Sequence, residues 1–392
     1  MGPSSLVLPD LDALTMAALA GRRGEKWSTY PSDVLPAWVA EMDYPVASPV
    51  HEVLSAMVAG HDVGYPRDAL SEGVREVFAT RMAEKFDWKV DPARVELLSD
   101  VVQGIYLAVG TLTTPGSGLV IQTPIYPPFL QSATENGREI VENRLRHESR
   151  GYAIDFEALE EAIGPRTEML LFCNPHNPTG RVFSREELEA LAEIVLRHDL
   201  LVVSDEIHAD LLHDGRSHLP LASLGPEIAA RTITLTSATK AFNIPGLRLA
   251  VAHFGSHRLQ EKFAGVPVHA RGGIGLLGIH ATIAAWRDSQ PWLDHVRGYL
   301  EERRNQLGGL LQERFPELIF RVPDATYLAW VDCAALQLDA DPAEFFLAKG
   351  RVAFSSGPNF GAGYSSYMRM NFATSAGLVT EAVDRMAIAL GR

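Results

Sequence analysis

Between about residues 90 and 255 the chain repeatedly runs through a short apolar stretch, stops in a polar or glycine-containing turn, and enters a helical pattern. This alternation limits the fold more than any other feature of its 392 residues. A short apolar run bounded by turn residues reads as a strand, and a longer stretch with apolar residues three and four apart reads as the helix that crosses back over the sheet. The pattern predicts an α/β sheet with strands at 118–122, 168–173, 200–204 and 232–236. Each strand leads into residues that can carry chemistry: Thr123-Pro-Ile-Tyr126, Asn174-Pro-His-Asn-Pro-Thr-Gly180, Asp205-Glu-Ile-His208 and Ser237-Ala-Thr-Lys240. Ser184 and Glu187 form a capping-box pattern, which predicts a helix running to about His198. Open α/β sheets gather ligands at the carboxyl ends of their strands. Asn177, Asp205 and Lys240 are therefore expected to converge despite their separation along the chain.

A chain of this length buries a sizeable interior but is long for one core, so a large and a small lobe are expected. We read 1–48 as an N-terminal arm contributing to the small domain, 49–285 as a large ligand-binding domain and 286–392 as a small C-terminal domain. The last portion has an amphipathic helical pattern at 292–315 and short strands at 327–331, 351–354 and 368–372. Against 35 Lys and Arg stand 49 Asp and Glu, a net charge of −14 with no long run of one sign. Such a balance argues against a nucleic-acid surface or a polybasic membrane contact, and any anionic ligand must be held by local cations. Pro9, Asp10 and Asp12 interrupt the apolar N-terminal stretch, no basic segment precedes it, and no segment approaches the ~20 apolar residues of a membrane-spanning helix. Two cysteines, Cys173 and Cys333, cannot build a disulfide framework. The expectation is a soluble cytoplasmic protein that binds a small molecule.

The joint occurrence of Asn177-Pro-Thr-Gly180, Asp205 with His208, and Ser237-x-x-Lys240 with Gly246-x-Arg248, in that order, resembles the fold type I pyridoxal-phosphate (PLP) enzymes that include the class I and II aminotransferases. The resemblance extends over nearly the whole chain. It implies a large α/β domain with a mostly parallel sheet and a smaller α+β domain. It also implies that Lys240 is the Schiff-base lysine, a role suited to an amine whose pKa a desolvated, cation-containing site lowers. Asp205 pairs with the pyridine nitrogen in such enzymes, Asn177 and His208 bond the ring's O3′, and Tyr126 stacks on the ring face. Many relatives carry Tyr at the position of His208. Ser237, Arg248 and backbone amides near Val101, Val102 and Gln103 at a helix N-terminus are implied phosphate ligands. Arg369, in Tyr367-Met-Arg-Met-Asn-Phe-Ala-Thr374, matches the arginine that grips the substrate α-carboxylate. Tyr65, in Gly-Tyr-Pro, matches a tyrosine that reaches the neighbouring subunit's cofactor, which implies a homodimer.

Trp38-Val-Ala-Glu-Met-Asp-Tyr-Pro45, together with Asn174-Pro-His-Asn-Pro-Thr-Gly-Arg181 and Ser204-Asp-Glu-Ile-His-Ala-Asp210, is similar to the cystathionine β-lyase-like branch of that family, often called MalY/PatB. That likeness implies α,β-elimination from an S-substituted L-cysteine to thiol, pyruvate and ammonia, with Asp43 and Tyr44 either lining the substrate pocket through backbone amides or only shaping the turn before Pro45. The expected alternatives are an aminotransferase, another elimination, decarboxylation or deamination on a specialised amino acid, and, remotely, a regulatory protein that binds PLP without turnover. The chain departs from the branch at Arg271-Gly-Gly-Ile-Gly-Leu-Leu-Gly278 and at Ala325, where glycine is expected. His208, His213 and His218 are spaced five apart and share no helical face, so no metal site is read there. Gly273-x-Gly-x-x-Gly278 has a dinucleotide spacing but follows no clear strand.

Overall fold

The computed structural model describes residues 8–148 and 151–392; the apolar N-terminal stretch begins in residues 1–7, which lie outside them. The central sheet has seven strands: β1 (Val95–Leu98), β2 (Gly118–Thr123), β3 (Glu139–Arg144), β4 (Thr167–Cys173), β5 (Leu201–Asp205), β6 (Thr232–Thr236) and β7 (Ala250–Phe254). Their order is β1-β7-β6-β5-β4-β2-β3. Only β7 runs against its neighbours; the other pairs are parallel. The fold is α/β, as the sequence pattern predicts.

Continuous apolar runs form these strands because both faces are covered. Leu119, Ile121, Leu171, Val203 and Leu235 pack on one side against Ile105 and Ala108 of helix α1 (Val101–Leu112). Val120, Leu170, Phe172 and Val202 point the other way, onto Leu188 and Leu191 of helix α2 (Arg185–Arg197). Ser184 and Glu187 cap α2 reciprocally, as their spacing predicts.

A second sheet is antiparallel: β8 (Ile319–Phe320), β9 (Leu328–Asp332), β10 (Ser355–Ser356) and β11 (Tyr367–Asn371), in the order β8-β9-β11-β10. The predicted helix near 292–315 runs over Gln290–Arg314. The arm joins this part of the molecule, since Leu35 and Pro36 pair with Val352 and Ala353. Among the described residues no helix is long and apolar enough to cross a membrane.

At both departures the backbone is locally constrained. A Cβ on Gly278 would come within 2.5 Å of the Leu247 carbonyl, so the helix carrying it packs directly on backbone. Thr326, after Ala325, has φ +74°, a region that disfavours β-branched residues. Three hydrogen bonds hold it: its N–H to Leu211 O at 2.8 Å, its O from His213 Nε2 at 2.7 Å, and its Oγ1 from Leu328 N–H at 3.1 Å.

His253 of β7 packs edge-on against Trp88, with ring centroids 4.8 Å apart, and burial pushes its pKa down to about 4. The unfolded chain takes up a proton near pH 6.5 that the folded protein refuses until about pH 4, so stability falls as pH drops below about 6.5. Going from about pH 7.5 to about pH 5.5 is expected to cost about 1 kcal/mol from this residue. In His253→Gln the loss of urea midpoint between those two pH values should shrink accordingly. An unchanged difference would rule out His253 as a contributor.

Candidate functional site

The carboxyl ends of β4, β5 and β6 lie level, with Cys173 opposite Asp205 and Asp205 opposite Leu235. They form the floor of a cavity of about 940 Å³, lined also by the arm, α1 and the second sheet. Asp205, His208, Asn177, Tyr126, Lys240, Arg248 and Arg369 all reach its wall, as do Val101 and Val102.

Lys240 sits in the helical turn Ala238–Ala241 directly after β6. Its Nζ donates to the Ala40 carbonyl at 2.7 Å. Burial and the nearby Arg369 guanidinium lower its pKa to about 8, against the pull of Glu41 and Asp205. Asp205 ends β5; its Oδ1 accepts from Ile207 N–H at 3.0 Å, and burial raises its pKa to about 7. His208 is buried with Nδ1 unpartnered among the described residues, and burial, then Lys240 and Arg369, lower its pKa to about 3. Burial likewise raises the Tyr126 hydroxyl.

Arg369, on β11, donates to Asn177 Oδ1 at 3.0 Å, to the Trp38 carbonyl at 3.0 Å and to Ser355 Oγ at 3.2 Å. Its guanidinium lies 5.0 Å from the Phe360 ring centroid, and burial lowers its pKa to about 10. Arg248 contacts the Asp100 carboxylate, which caps α1 by accepting from Gln103 N–H at 2.7 Å. Of the three amides predicted at that helix start, Gln103's is therefore already occupied, which leaves those of Val101 and Val102. Ser237 is buried; its hydroxyl donates to the Leu249 carbonyl and accepts from Thr239 N–H at 3.1 Å, so it is engaged beside the cavity rather than on its wall.

Asp43 and Tyr44 are not on the wall, contrary to the expectation that they line the pocket. Asp43 is the counter-charge of the buried Lys26 at 2.9 Å and accepts from Trp27 Nε1 at 2.7 Å. Tyr44 is buried and its hydroxyl donates to the Thr374 carbonyl at 3.1 Å. Segment 271–278 does not border this chain's cavity either; the Arg271 carbonyl accepts from Gln103 Nε2 at 2.7 Å. Tyr65 is fully exposed, away from the cavity of its own chain. His213 and His218 bond Thr326 O and Glu206 Oε2, and among the described residues no cluster suits a metal ion.

Sequence reading missed the strap at 38–41, whose backbone carbonyls hold the site together. Arg369 and Ser355 donate to Trp38 O, Lys240 and Tyr327 to Ala40 O, and Asn371 to Val39 O and Glu41 O. Carbonyl acceptors leave no mark in a residue string, so only the unassigned Trp38-Val-Ala-Glu41 hinted at it. The side chains of Tyr30, Trp38, Glu41 and Phe360 on the wall were also unassigned.

The donor set fits a pyridine aldehyde. It offers an amine of lowered pKa, a carboxyl with one oxygen left over, an unpartnered buried imidazole nitrogen and an aromatic side wall.

Residues 43–386 match the family described as aminotransferase class I and II. The chain is 35% identical over 362 residues to the cystathionine beta-lyase PatB of Bacillus subtilis (strain 168), covering 92% of this chain and 93% of that one. It is 31% identical over 372 residues to the cystathionine beta-lyase of Corynebacterium glutamicum, covering 95% and 98%. Among solved structures, cystalysin from Treponema denticola, which contains a pyridoxal 5′-phosphate cofactor, superposes with a TM-score of 0.93 at 28% identity, covering 98% of this chain and 99% of that one.

Proposed function

The chain belongs to the class I and II aminotransferase family, and from that premise we propose that it is a PLP-dependent carbon–sulfur β-lyase. The reading rests chiefly on the convergence of Lys240, Asp205 and Arg369 in one cavity of a chain similar to cystathionine beta-lyases over almost its full length. The reaction is elimination of the thiol from an S-substituted L-cysteine, after which one water hydrolyses the released aminoacrylate to pyruvate and ammonia.

Bound here, PLP supplies an electron-withdrawing ring that acidifies the substrate's α-proton. The chain's own residues do the rest. Asp205 would keep a negative charge against the ring nitrogen, while Asn177 and His208 would supply polar groups to the ring's oxygen and Tyr126 an aromatic wall. The amides of Val101 and Val102 at the start of α1, with Arg248, would take the phosphate, while the Ser237 hydroxyl expected there is engaged with the Leu249 carbonyl. Arg369 turns its guanidinium from the Trp38 carbonyl to the substrate carboxylate, a bidentate pairing to which its planar fork is suited. Lys240, with a pKa near 8 before ligand arrives, is poised to accept the α-proton near neutral pH. A thiolate then leaves; with a conjugate-acid pKa of about 8.5 it departs far more readily than an alkoxide.

The fully exposed Tyr65 supports a homodimer in which each copy's tyrosine reaches the other's cavity. We place the domain divisions near residues 48 and 285, and the free, buried Cys173 and Cys333 support a reducing, cytoplasmic setting.

The test is to incubate PLP-loaded protein with L-cystathionine and with S-alkyl-L-cysteines in the absence of any keto acid. Pyruvate and thiol are expected in equal amounts over many turnovers. Loss of substrate amine only when a keto acid is added, with no thiol, would replace the lyase by an aminotransferase.

A further inference from the structure

An S-substituted L-cysteine offers three handles, and two are spoken for: the α-amine goes to the cofactor at Lys240 and the α-carboxylate to Arg369. The substituent on sulfur is left to the remaining walls, made by the arm (Tyr30, Trp38, Glu41) and by Ala343 and Leu347 of the helix Pro342–Gly350. The basic residues on this chain's wall are Lys240, Arg248, Arg369 and the buried His208, all assigned to amine, phosphate, carboxylate and ring. The charged side chains without such an assignment are Glu25, Glu41, Asp100 and Glu344, and Asp100 is already paired with Arg248. Glu25 and Glu344 are exposed at the rim, where water and salt reduce an ion pair to little. Glu41 is half-buried inside.

Its surroundings differ from those of Asp43 two residues on. Asp43 is satisfied by Lys26 and Trp27, whereas among the described residues no hydrogen bond or ion pair reaches the Glu41 carboxylate oxygens, and the charges of Lys26, Lys240 and Arg22 act on it only from beyond ion-pair distance. The backbone beneath is fixed, because the Glu41 carbonyl accepts from Asn371 Nδ2 at 2.6 Å and Lys26 Nζ at 3.3 Å. Glu41 therefore cannot drift to a partner by moving the strap. Beside it, Tyr30 and Trp38 meet edge to face with centroids 5.7 Å apart, and aromatic walls favour an alkylammonium.

We propose that Glu41 selects, among S-substituted L-cysteines, those whose sulfur substituent ends in a protonated amine. This rests on the lyase reading above. A cation gives the partly desolvated carboxylate the partner it lacks, a neutral alkyl group strips it of water without return, and an anion is repelled.

The experiment compares three substrates of the holoenzyme that differ at the far end of the substituent: S-(2-aminoethyl)-, S-propyl- and S-(carboxymethyl)-L-cysteine, with pyruvate as readout. The expected kcat/KM for aminoethyl exceeds that for propyl by about tenfold, as one charge-assisted contact allows, and that for carboxymethyl by more. In Glu41→Gln the aminoethyl-to-propyl ratio should fall to about one. Binding is read separately with L-lysine and L-2-aminoheptanoate, in which a methylene replaces sulfur so that nothing can be expelled. Their dissociation constants, from the change in the cofactor's visible spectrum, should differ by about tenfold in favour of L-lysine and converge in Glu41→Gln. Equal ratios in the parent protein, or a preference that survives Glu41→Gln, would overturn the proposal. Absence of pyruvate from all three sulfur compounds would instead remove the lyase reading, while the lysine and aminoheptanoate constants would still decide the role of Glu41.

Discussion

Lys240→Ala is expected to lower kcat/KM for pyruvate release by roughly ten-thousandfold, the upper end of what a positioned acid–base group supplies. It should also remove the visible absorption that comes from the lysine–cofactor linkage. The magnitude follows from the surroundings. Lys240 is the amine whose Nζ lies in the cavity 2.7 Å from the Ala40 carbonyl, and on this chain's wall it is the lysine available to exchange a proton with substrate. Asp205, which would be held by the ring nitrogen, cannot replace it, and the His208 imidazole stays neutral down to about pH 3. The loss should not come from unfolding. Because burial lowers the lysine's pKa to about 8, the folded protein holds this proton less tightly than the unfolded chain between about pH 8 and pH 10.5. The charged amine therefore destabilises the cofactor-free fold at and below about pH 8, and removing it lifts that penalty. Tyr327 still donates to Ala40 O at 2.9 Å, so the carbonyl is not orphaned. The cofactor-free variant should melt no lower than the cofactor-free parent near pH 7. A variant that melts far lower, or that keeps more than about a tenth of parental turnover, would contradict the assignment.

What the residue string revealed of this site, and what it hid, has a physical division. Asn177, Asp205 and Lys240 were readable as neighbours because each follows a strand buried on both faces, and such strands end where their apolar run ends. Arg369 needed the family resemblance, since an arginine on a short strand of the second sheet has no periodicity to mark its direction. The partners that fix these groups were not readable at all. The strap at 38–41 acts through carbonyl oxygens, which every residue possesses. Asp43 shares the strap's motif, but a buried Lys26 on a one-turn helix of the arm claims its charge, and nothing in local spacing links the two. The Ser237 hydroxyl turns toward Leu249, and Asp100 faces Arg248, through tertiary contacts of the same kind. The helix start at Val101 was expected as an anion site; that its own cap is an acid opposite Arg248 emerges only in three dimensions.

Asp205→Asn should separate charge from shape at the end of β5. Asparagine matches aspartate in size, and its amide oxygen can keep the 3.0 Å bond from Ile207 N–H, so the end of β5 should not move. What changes is the group left for the ring nitrogen. In the parent protein it is a carboxyl whose pKa burial raises to about 7, so that before ligand arrives it is neutral about as often as charged near pH 7. A protonated ring nitrogen supplies the partner charge that burial denies this carboxylate, and the pair then stabilises both ions. An asparagine amide offers no charge and cannot hold the ring in its cationic, electron-withdrawing form. Turnover should fall on the order of 10² to 10³-fold, the range for removing one preorganised electrostatic partner of a developing charge. The Lys240 linkage should still form, visible in the absorption spectrum with a shifted maximum. The same carboxyl gives the cofactor-free proteins opposite trends. With its folded pKa above the unfolded value near 3.8, parental Asp205 binds a proton that the unfolded chain has released, so this residue's contribution to stability declines as pH rises from about 4 through about 7. The substituted amide has no proton to lose, and the variant's melting temperature should exceed the parent's by a growing margin over that interval. A margin that stays flat with pH would mean that Asp205 is already ionised in the empty cavity, and turnover within about threefold of the parent would remove it from the electron-withdrawing machinery.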